Sequence, residues 1–371
     1  MISRTRARNA YTPIRIYFTR TRRCTSSIIL SSRKQFFYLS NIRAGKGESL
    51  AVPLRLPESK HFQIEQLADG VYATVASEQG YAVCNAGVID IGDRTILFDT
   101  FISPEAARDL LKVTEQLTSH RITHVINSHG HNDHIRGNQV FDSDVDIIST
   151  VLTRDAIARN EPEEIKLERE TIPKEIIDAQ SKLSAEKDPK RRRDLAFLVV
   201  YLQAMSKSHS ELKTRLPNIT FTHKLTIHGT MRTVELFPLA GHTASDVVLY
   251  LPEEKIAFMG DLLFVNSHPY LASGSPGQWK QSLAEIEALG VQVVIPGHGP
   301  VGRSADLSVM SQYIQSLESI VVNMIKSGKP VEQVSLEPVP SPFDTWLSPD
   351  NFFVTNLKFL YELAAQGKET R

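Results

Sequence analysis

Residues 127–137, NSHGHNDHIRG, place three histidines and one aspartate within six positions, directly after the apolar segment RITHVIN. Imidazole nitrogens and carboxylate oxygens are ligands that zinc and iron accept. In an extended segment, residues i, i+2 and i+4 point the same way, so His129, His131 and Asp133 are predicted to converge while His134 points elsewhere. The segment therefore predicts the beginning of two neighbouring metal sites.

Three further polar residues follow other predicted apolar strands, each beside a glycine. His242 comes after VELFPLA in Gly-His-Thr, Asp261 after KIAFM in Gly-Asp, and His298 after VQVVIP in Gly-His-Gly. Chemically active residues commonly lie in such loops at strand ends. Together with the first segment they supply five histidines and two aspartates. Asp99, which ends the apolar segment TILF, is a candidate hydrogen-bond partner for one of these ligands.

This ordered set of motifs resembles the metallo-β-lactamase superfamily over about residues 62–300. The resemblance implies an α/β fold, an αββα sandwich of two mixed β-sheets with outer helices. An aspartate at position 261 is similar to the glyoxalase II type of dinuclear hydrolase. The ligand set that the resemblance implies is His129, His131 and His242 for one ion, Asp133, His134 and His298 for the other, and Asp261 between them.

The same resemblance implies two divalent metal ions, zinc first, with iron or manganese as alternatives. A metal-bridging hydroxide would cleave a small ester, thioester, lactone or amide, with Asp133 and Asp261 as the catalytic carboxylates. Asp99 would hydrogen-bond a ligand histidine. The alternative is a mononuclear iron persulfide dioxygenase of the same superfamily; the complete second ligand set favours the hydrolase. In the His-Pro-Tyr segment after Asp261, His268 and Tyr270 are predicted to contact the substrate.

Charge divides the chain unequally. Residues 1–47 contain eleven Lys and Arg and no acidic residue, so the remainder has 31 basic against 42 acidic residues, a net charge of −11. An Arg- and Ser-rich leader without acids is typical of an organellar transit peptide, which predicts the mitochondrial matrix. If the leader is a gene-model artefact or a disordered tail, the cytoplasm is predicted instead.

Composition also excludes several classes of protein. An acidic body without a recognisable basic arm argues against a nucleic-acid partner. No apolar run approaches the roughly 18 residues that a membrane-spanning helix needs. The two cysteines, Cys24 and Cys84, form no Cys-x-x-Cys pattern, so a metal is expected to rely on His and carboxylate. A small-molecule substrate is the predicted partner.

The chain is divided into four predicted parts. A basic leader (1–47) and a linker (48–60) precede a catalytic domain (61–303), and a helical extension (304–371) packs on that domain. The catalytic domain contains an insert, residues 151–216, predicted as two or three helices that serve either as structure or as a lid over the site. The apolar C-terminal helix is predicted to pack within the chain, with a homodimer contact as the alternative.

Overall fold

The computed structural model describes residues 56–347 and 351–367. The predicted leader and Cys24 lie outside these residues. Turn residues set the first hairpin: Asp69 and Gly70 separate two alternating segments, and Gly70 takes a φ of +70°, which glycine adopts without strain. In the segment FQIEQLADGVYATVA, apolar and polar residues alternate on both sides of this turn, which predicts two antiparallel strands. The pair is confirmed, with Phe62 opposite Ala76 and Ala68 opposite Val71.

The first sheet contains seven strands that lie side by side in chain order. Its first four strands pair antiparallel and the rest pair parallel, so the sheet is mixed. The strands are β1 (Phe62–Ala68), β2 (Val71–Ala76), β3 (Ala86–Asp90), β4 (Thr95–Phe98), β5 (Ile122–Ile126), β6 (Asp146–Thr150) and β7 (Ile219–Phe221).

The second sheet contains six strands in the order β13-β12-β11-β10-β9-β8. It is also mixed, because β11 and β12 are parallel while the other pairs are antiparallel. The strands are β8 (Leu225–His228), β9 (Thr233–Leu239), β10 (Asp246–Leu251), β11 (Ile256–Phe264), β12 (Val293–His298) and β13 (Gly302–Arg303).

Seven α-helices lie in the described part of the chain. The first begins as predicted, with the Ser103 side chain accepting a hydrogen bond from the Ala106 amide and Pro104 at the first helical position. The helices are α1 (Pro104–Leu117), α2 (Asn132–Ile135), α3 (Val151–Ala185), α4 (Pro189–Ser208), α5 (Pro276–Ala288), α6 (Ser304–Lys326) and α7 (Phe352–Ala365).

The two sheets face each other across an apolar core. Phe98 on β4 and Phe258 on β11 meet there, with ring centroids 5.8 Å apart. Helix α1 covers the outer face of the first sheet through Leu110, and α6 covers the second through Met310 and Ile314. The predicted αββα sandwich of two mixed sheets is confirmed. Because all these layers bury apolar faces, the strand ends that carry polar residues are held at one edge.

The insert, predicted as two or three helices, contains two. Its first helix, α3, runs unbroken for 35 residues through Pro162 and Pro173. A proline inside a helix costs about 3 kcal/mol, and here the helix buries Ile165, Ile172 and Ala179 along its length, which offsets that cost. The insert is therefore a long two-helix hairpin of α3 and α4.

The C-terminal helix packs within the chain. Leu357 and Leu360 of α7 are buried in the same apolar cluster as Met310 and Leu317 of α6. The apolar face of α7, which also suggested a homodimer contact, is therefore buried against α6. Among the described helices, none is long and apolar enough to cross a membrane.

Candidate metal centre

The His-rich loop is only partly extended. His131 has φ −73° and ψ 149°, but a helical turn begins at Asn132 and carries both Asp133 and His134. The prediction that the segment stays extended to Asp133 is therefore wrong. Asp133 and His134, which both lie on this turn, belong to one group of possible metal ligands. His129 and His131 belong to another.

The three distant residues come from the second sheet. His242 follows β9, Asp261 lies inside β11, and His298 is the last residue of β12. Asp261 thus lies within a strand that continues to Phe264, whereas the sequence placed it in a turn after the strand. A glycine makes room for its carboxylate, because a Cβ on Gly297 would lie only 1.9 Å from Asp261 Oδ1.

A first group of ligand atoms belongs to His129, His131, His242 and Asp261, all within 4.8 Å of one another. His242 Nε2 lies 2.9 Å from His131 Nδ1 and 3.3 Å from Asp261 Oδ2. His129 Nε2 lies 3.9 Å from the same Oδ2. His129 and His242 therefore flank one oxygen of Asp261, and His131 lies beside His242.

A second group belongs to His134, Asp261 and His298. Their nitrogens face the other carboxylate oxygen, with His134 Nε2 at 3.1 Å and His298 Nε2 at 3.3 Å from Asp261 Oδ1. Asp133 Oδ2 lies 3.3 Å from His298 Nε2 and 3.6 Å from His134 Nε2. Asp261 thus lies between two clusters and presents one oxygen to each.

Buried atoms in both clusters have no hydrogen-bond partner within the described residues: His129 Nε2, His134 Nε2 and Asp261 Oδ1. Leaving such atoms unpaired in the interior costs roughly 1–3 kcal/mol each. Cations coordinated by these lone pairs would remove that cost, and the donor set of imidazole and carboxylate is one that divalent zinc or iron accepts. The residues present therefore fit divalent metal ions.

The second ring nitrogen of each buried histidine is held by a neighbour. Asp99 Oδ2 lies 2.8 Å from His134 Nδ1, the Tyr270 carbonyl oxygen accepts from His242 Nδ1 at 3.1 Å, and Ser128 Oγ lies 2.9 Å from His129 Nδ1. Such contacts fix the tautomer, so that Nε2 keeps its lone pair for a metal. Asp99 therefore has the hydrogen-bonding position that the resemblance implies.

The pKa values of the histidines shift in opposite directions in the two clusters. Burial lowers the pKa of His242 to about 3 and also lowers the pKa values of His129 and His131, so the first cluster carries neutral imidazoles. Burial alone would lower the pKa of His298, but the carboxylates of Asp261 and Asp133 outweigh it and raise the pKa to about 10. At His134 burial is likewise outweighed, by Cys84 and the carboxylates of Asp133 and Asp261, which raise its pKa well above the ordinary value. Without a metal, both histidines of the second cluster are therefore protonated at neutral pH.

Cys84 is a neighbour that the sequence analysis missed. Its buried Sγ donates to the Asp133 carbonyl oxygen at 2.8 Å, and it can form a ligand group with Asp133 and His134. Burial raises the pKa of the thiol to about 12, so the group is neutral. A single cysteine outside any spacing pattern gives no sequence signal of this placement.

The two predicted substrate residues occupy different environments. The His268 side chain is fully buried, its Nδ1 lies 2.8 Å from the Tyr313 hydroxyl, and its ring packs against Trp346 and Phe353. The structure does not place it where a substrate could touch it, because the C-terminal extension covers it. Tyr270 is half-buried beside Phe352, and its carbonyl orients His242.

Comparison with known proteins identifies the family. The family model of the metallo-beta-lactamase superfamily matches residues 80–298, more than half of the chain and all seven candidate ligands. The chain therefore belongs to the metallo-beta-lactamase superfamily, whose members are mostly hydrolases. A type 2 metallo-beta-lactamase of Bacillus cereus is 25% identical over 256 residues, which cover 66% of this chain and 79% of that protein.

Solved structures share the fold at low identity. A metallo-beta-lactamase from Pontibacter korlensis superposes with a TM-score of 0.50 at 19% identity, covering 68% of this chain and 99% of that one. A stereoselective inverting sec-alkylsulfatase from Pseudomonas sp. gives a TM-score of 0.58 at 16% identity, covering 81% of this chain and 50% of that one. These likenesses concern the fold alone.

Proposed function

We propose that the chain is a dinuclear metal-dependent hydrolase that cleaves a small ester, thioester, lactone or amide. The observation that carries this proposal is the Asp261 carboxylate, which presents Oδ2 to His129 and His242 and Oδ1 to His134 and His298. A carboxylate placed in this way between two nitrogen-rich clusters is suited to hold two cations side by side.

The remaining residues divide into two ligand sets. His129, His131 and His242 would hold one ion, while Asp133, His134 and His298 would hold the other. Bound ions would supply Lewis acidity toward the substrate carbonyl and a nucleophilic hydroxide near neutral pH. Zinc is the proposed metal, with iron or manganese as alternatives.

The role proposed for Asp133 is that of a hydrogen-bond acceptor for the attacking water. Burial alone would raise its pKa, but His134 and His298 outweigh burial and lower the pKa to about 2, so the carboxylate is ionised. Its side chain is 12% exposed, whereas that of His134 is fully buried. An ionised carboxylate can accept a hydrogen bond from the attacking water.

Metal analysis of protein purified without chelator tests the proposal. We expect two divalent ions per chain in the native protein, together with turnover of chromogenic esters, thioesters or lactones. Asp261→Asn should lose at least one ion and its activity, since an amide offers only one acceptor oxygen. Asp306→Asn, which alters the carboxylate that caps α6 at the Arg303 amide, is the control and should keep both ions.

Two results would overturn the proposal. A native protein with a single iron and no hydrolytic activity would instead support the persulfide dioxygenase alternative. An Asp261→Asn variant with two ions and full activity would remove the role given to that carboxylate.

A further inference from the structure

The short turn that carries Asp133 and His134 ends at a buried arginine. Arg136 is the C-terminal cap of α2, and its side chain is only 1% exposed. Its Nε donates to Glu161 Oε1 at 2.8 Å, its Nη2 donates to Glu168 Oε1 at 3.0 Å, and the same Nη2 lies 2.8 Å from Glu168 Oε2. Both glutamates lie on α3, so the insert supplies the charges that allow this guanidinium to be buried.

Glu168 also contacts the other end of the same turn. The Asn132 side chain donates to Glu168 Oε1 at 3.2 Å, and His209, which follows α4, lies 3.2 Å from Oε2. One carboxylate therefore joins both ends of α2 to both helices of the insert. A four-residue turn is too short to be stable alone, so its position depends on such contacts.

A second contact links the insert to the turn through Val83 and Cys84. Val83 has a φ of +72°, a strained conformation for a β-branched residue. Its side chain is buried with Ile102 in a cluster formed largely by α3 and α4, including Ile172 and Leu198. Val83 precedes Cys84, whose thiol contacts the Asp133 carbonyl. The insert thus packs on Val83, a strained residue directly before Cys84, and Cys84 contacts Asp133 of the second cluster.

We propose that the helical insert is a positioning element for the second metal cluster, acting through Arg136 and its two glutamates. The inference rests on the proposed function, because it takes Asp133 and His134 as ligands. A lid would instead change access of the substrate and leave the affinity for ions unchanged. His242 of the first cluster lies outside these contacts, whereas His131 caps the start of α2 beside Asn132, so the network bears mainly on the second cluster.

Arg136→Lys tests the proposal without changing the net charge. Lysine keeps the positive charge, but its ammonium group lacks the planar arrangement of donors by which the guanidinium binds two carboxylates at once. Displacing residues that orient metal ligands typically lowers metal affinity 10–100-fold, so the Kd of the second ion should rise roughly tenfold. Competition with a chromophoric chelator measures both constants, and the Kd of the first ion should rise less than that of the second.

The matched control is Arg232→Lys. Arg232 is also buried and donates from Nε to Glu254 Oε1 at 2.8 Å, with its other contacts at the Asp69 and Asp90 carbonyls. The Glu168 and Glu254 side chains are similarly exposed, at 15% and 17%. The control should lower the Tm, as a structural ion pair does, and leave both metal constants at their native values.

The outcomes separate the two proposals. If native protein binds two ions and Arg136→Lys leaves both constants unchanged, or weakens both equally, the positioning role is refuted while the hydrolase proposal stands. If native protein does not bind two ions, the hydrolase proposal fails first and this one with it. Should Arg136→Lys not fold, Glu168→Gln gives the same measurement, with Glu254→Gln as its control.

Discussion

Replacing Asp99 by asparagine should weaken the second ion selectively. Asp99 is fully buried and accepts two hydrogen bonds, from the Ser128 amide at 2.7 Å and from His134 Nδ1 at 2.8 Å. Asparagine has one acceptor oxygen, so one of these bonds is lost. If the new amide group donates to His134 Nδ1, the proton moves to Nε2, the atom that should bind the metal.

The magnitude follows from the lost bond. A hydrogen bond to a charged group contributes about 1.5–3 kcal/mol, and each 1.4 kcal/mol corresponds to about a factor of ten in Kd. The second ion should therefore bind roughly 10–100-fold more weakly, while the first ion is unaffected. The backbone should tolerate the change, because Asp99 has a φ of +60°, a conformation that asparagine also adopts.

Chelator competition measures the two constants, and ¹⁵N NMR of the histidine rings reports the tautomer of His134. Asp90→Asn is the control, since Asp90 also accepts from a histidine, His120 Nδ1 at 2.9 Å, and from a backbone amide, that of Gly92 at 2.8 Å. Neither of these partners belongs to the clusters. An unchanged second constant in Asp99→Asn, with His134 still protonated on Nδ1, would refute the reasoning.

Three other predictions concern protons, packing and the leader. Neighbouring groups raise the pKa of His298 to about 10 and that of His134 well above its ordinary value, so binding of the second ion must displace a proton from each; its affinity should rise up to a hundredfold per pH unit between pH 6 and 8. The first ion, held by neutral imidazoles such as His242 with a pKa near 3, should show little dependence in calorimetric titrations. His268→Leu should lower the free energy of unfolding by about 1–3 kcal/mol, because the buried Tyr313 hydroxyl loses its contact with His268 Nδ1 and keeps only the longer one with the Asn356 amide. Denaturant titration measures this, and lost metal with unchanged stability would contradict the structural role. If the leader is a mitochondrial transit peptide, mass spectrometry of the cellular protein should find a start downstream of the basic segment 1–47, and intact Met1 would contradict cleavage.

Each predicted ligand has a local pattern in the sequence, which is why a candidate metal site could be predicted from the sequence. His129 to His134 fall within one loop, and His242, Asp261 and His298 each adjoin a glycine next to an apolar strand. Alternation of apolar and polar residues likewise predicted the hairpin at Asp69 and the helix beginning after Ser103. Such patterns involve neighbours along the chain, which a single sequence displays directly.

Contacts between distant residues had no comparable pattern. The sequence alone did not indicate that Cys84 would meet Asp133, 49 residues away, or that Arg136 would pair with Glu168, 32 residues away. Nor did it show that the C-terminal extension would cover His268 through Trp346 and Phe353. These pairs form only when separate elements pack together, and no periodicity along the chain records that packing.

The sequence by itself thus determined which residue types can bind metal and the αββα layers that carry them. The tertiary structure decided how they are arranged: the turn at Asn132 that directs Asp133 and His134 together, the two-sided placement of Asp261, and the unbroken helix α3. The physical reason is that local propensity favours a conformation by a few tenths of a kcal/mol to about 1 kcal/mol per residue, whereas burial of a large apolar side chain contributes about 1.5–3 kcal/mol. Packing therefore decides wherever the two conflict.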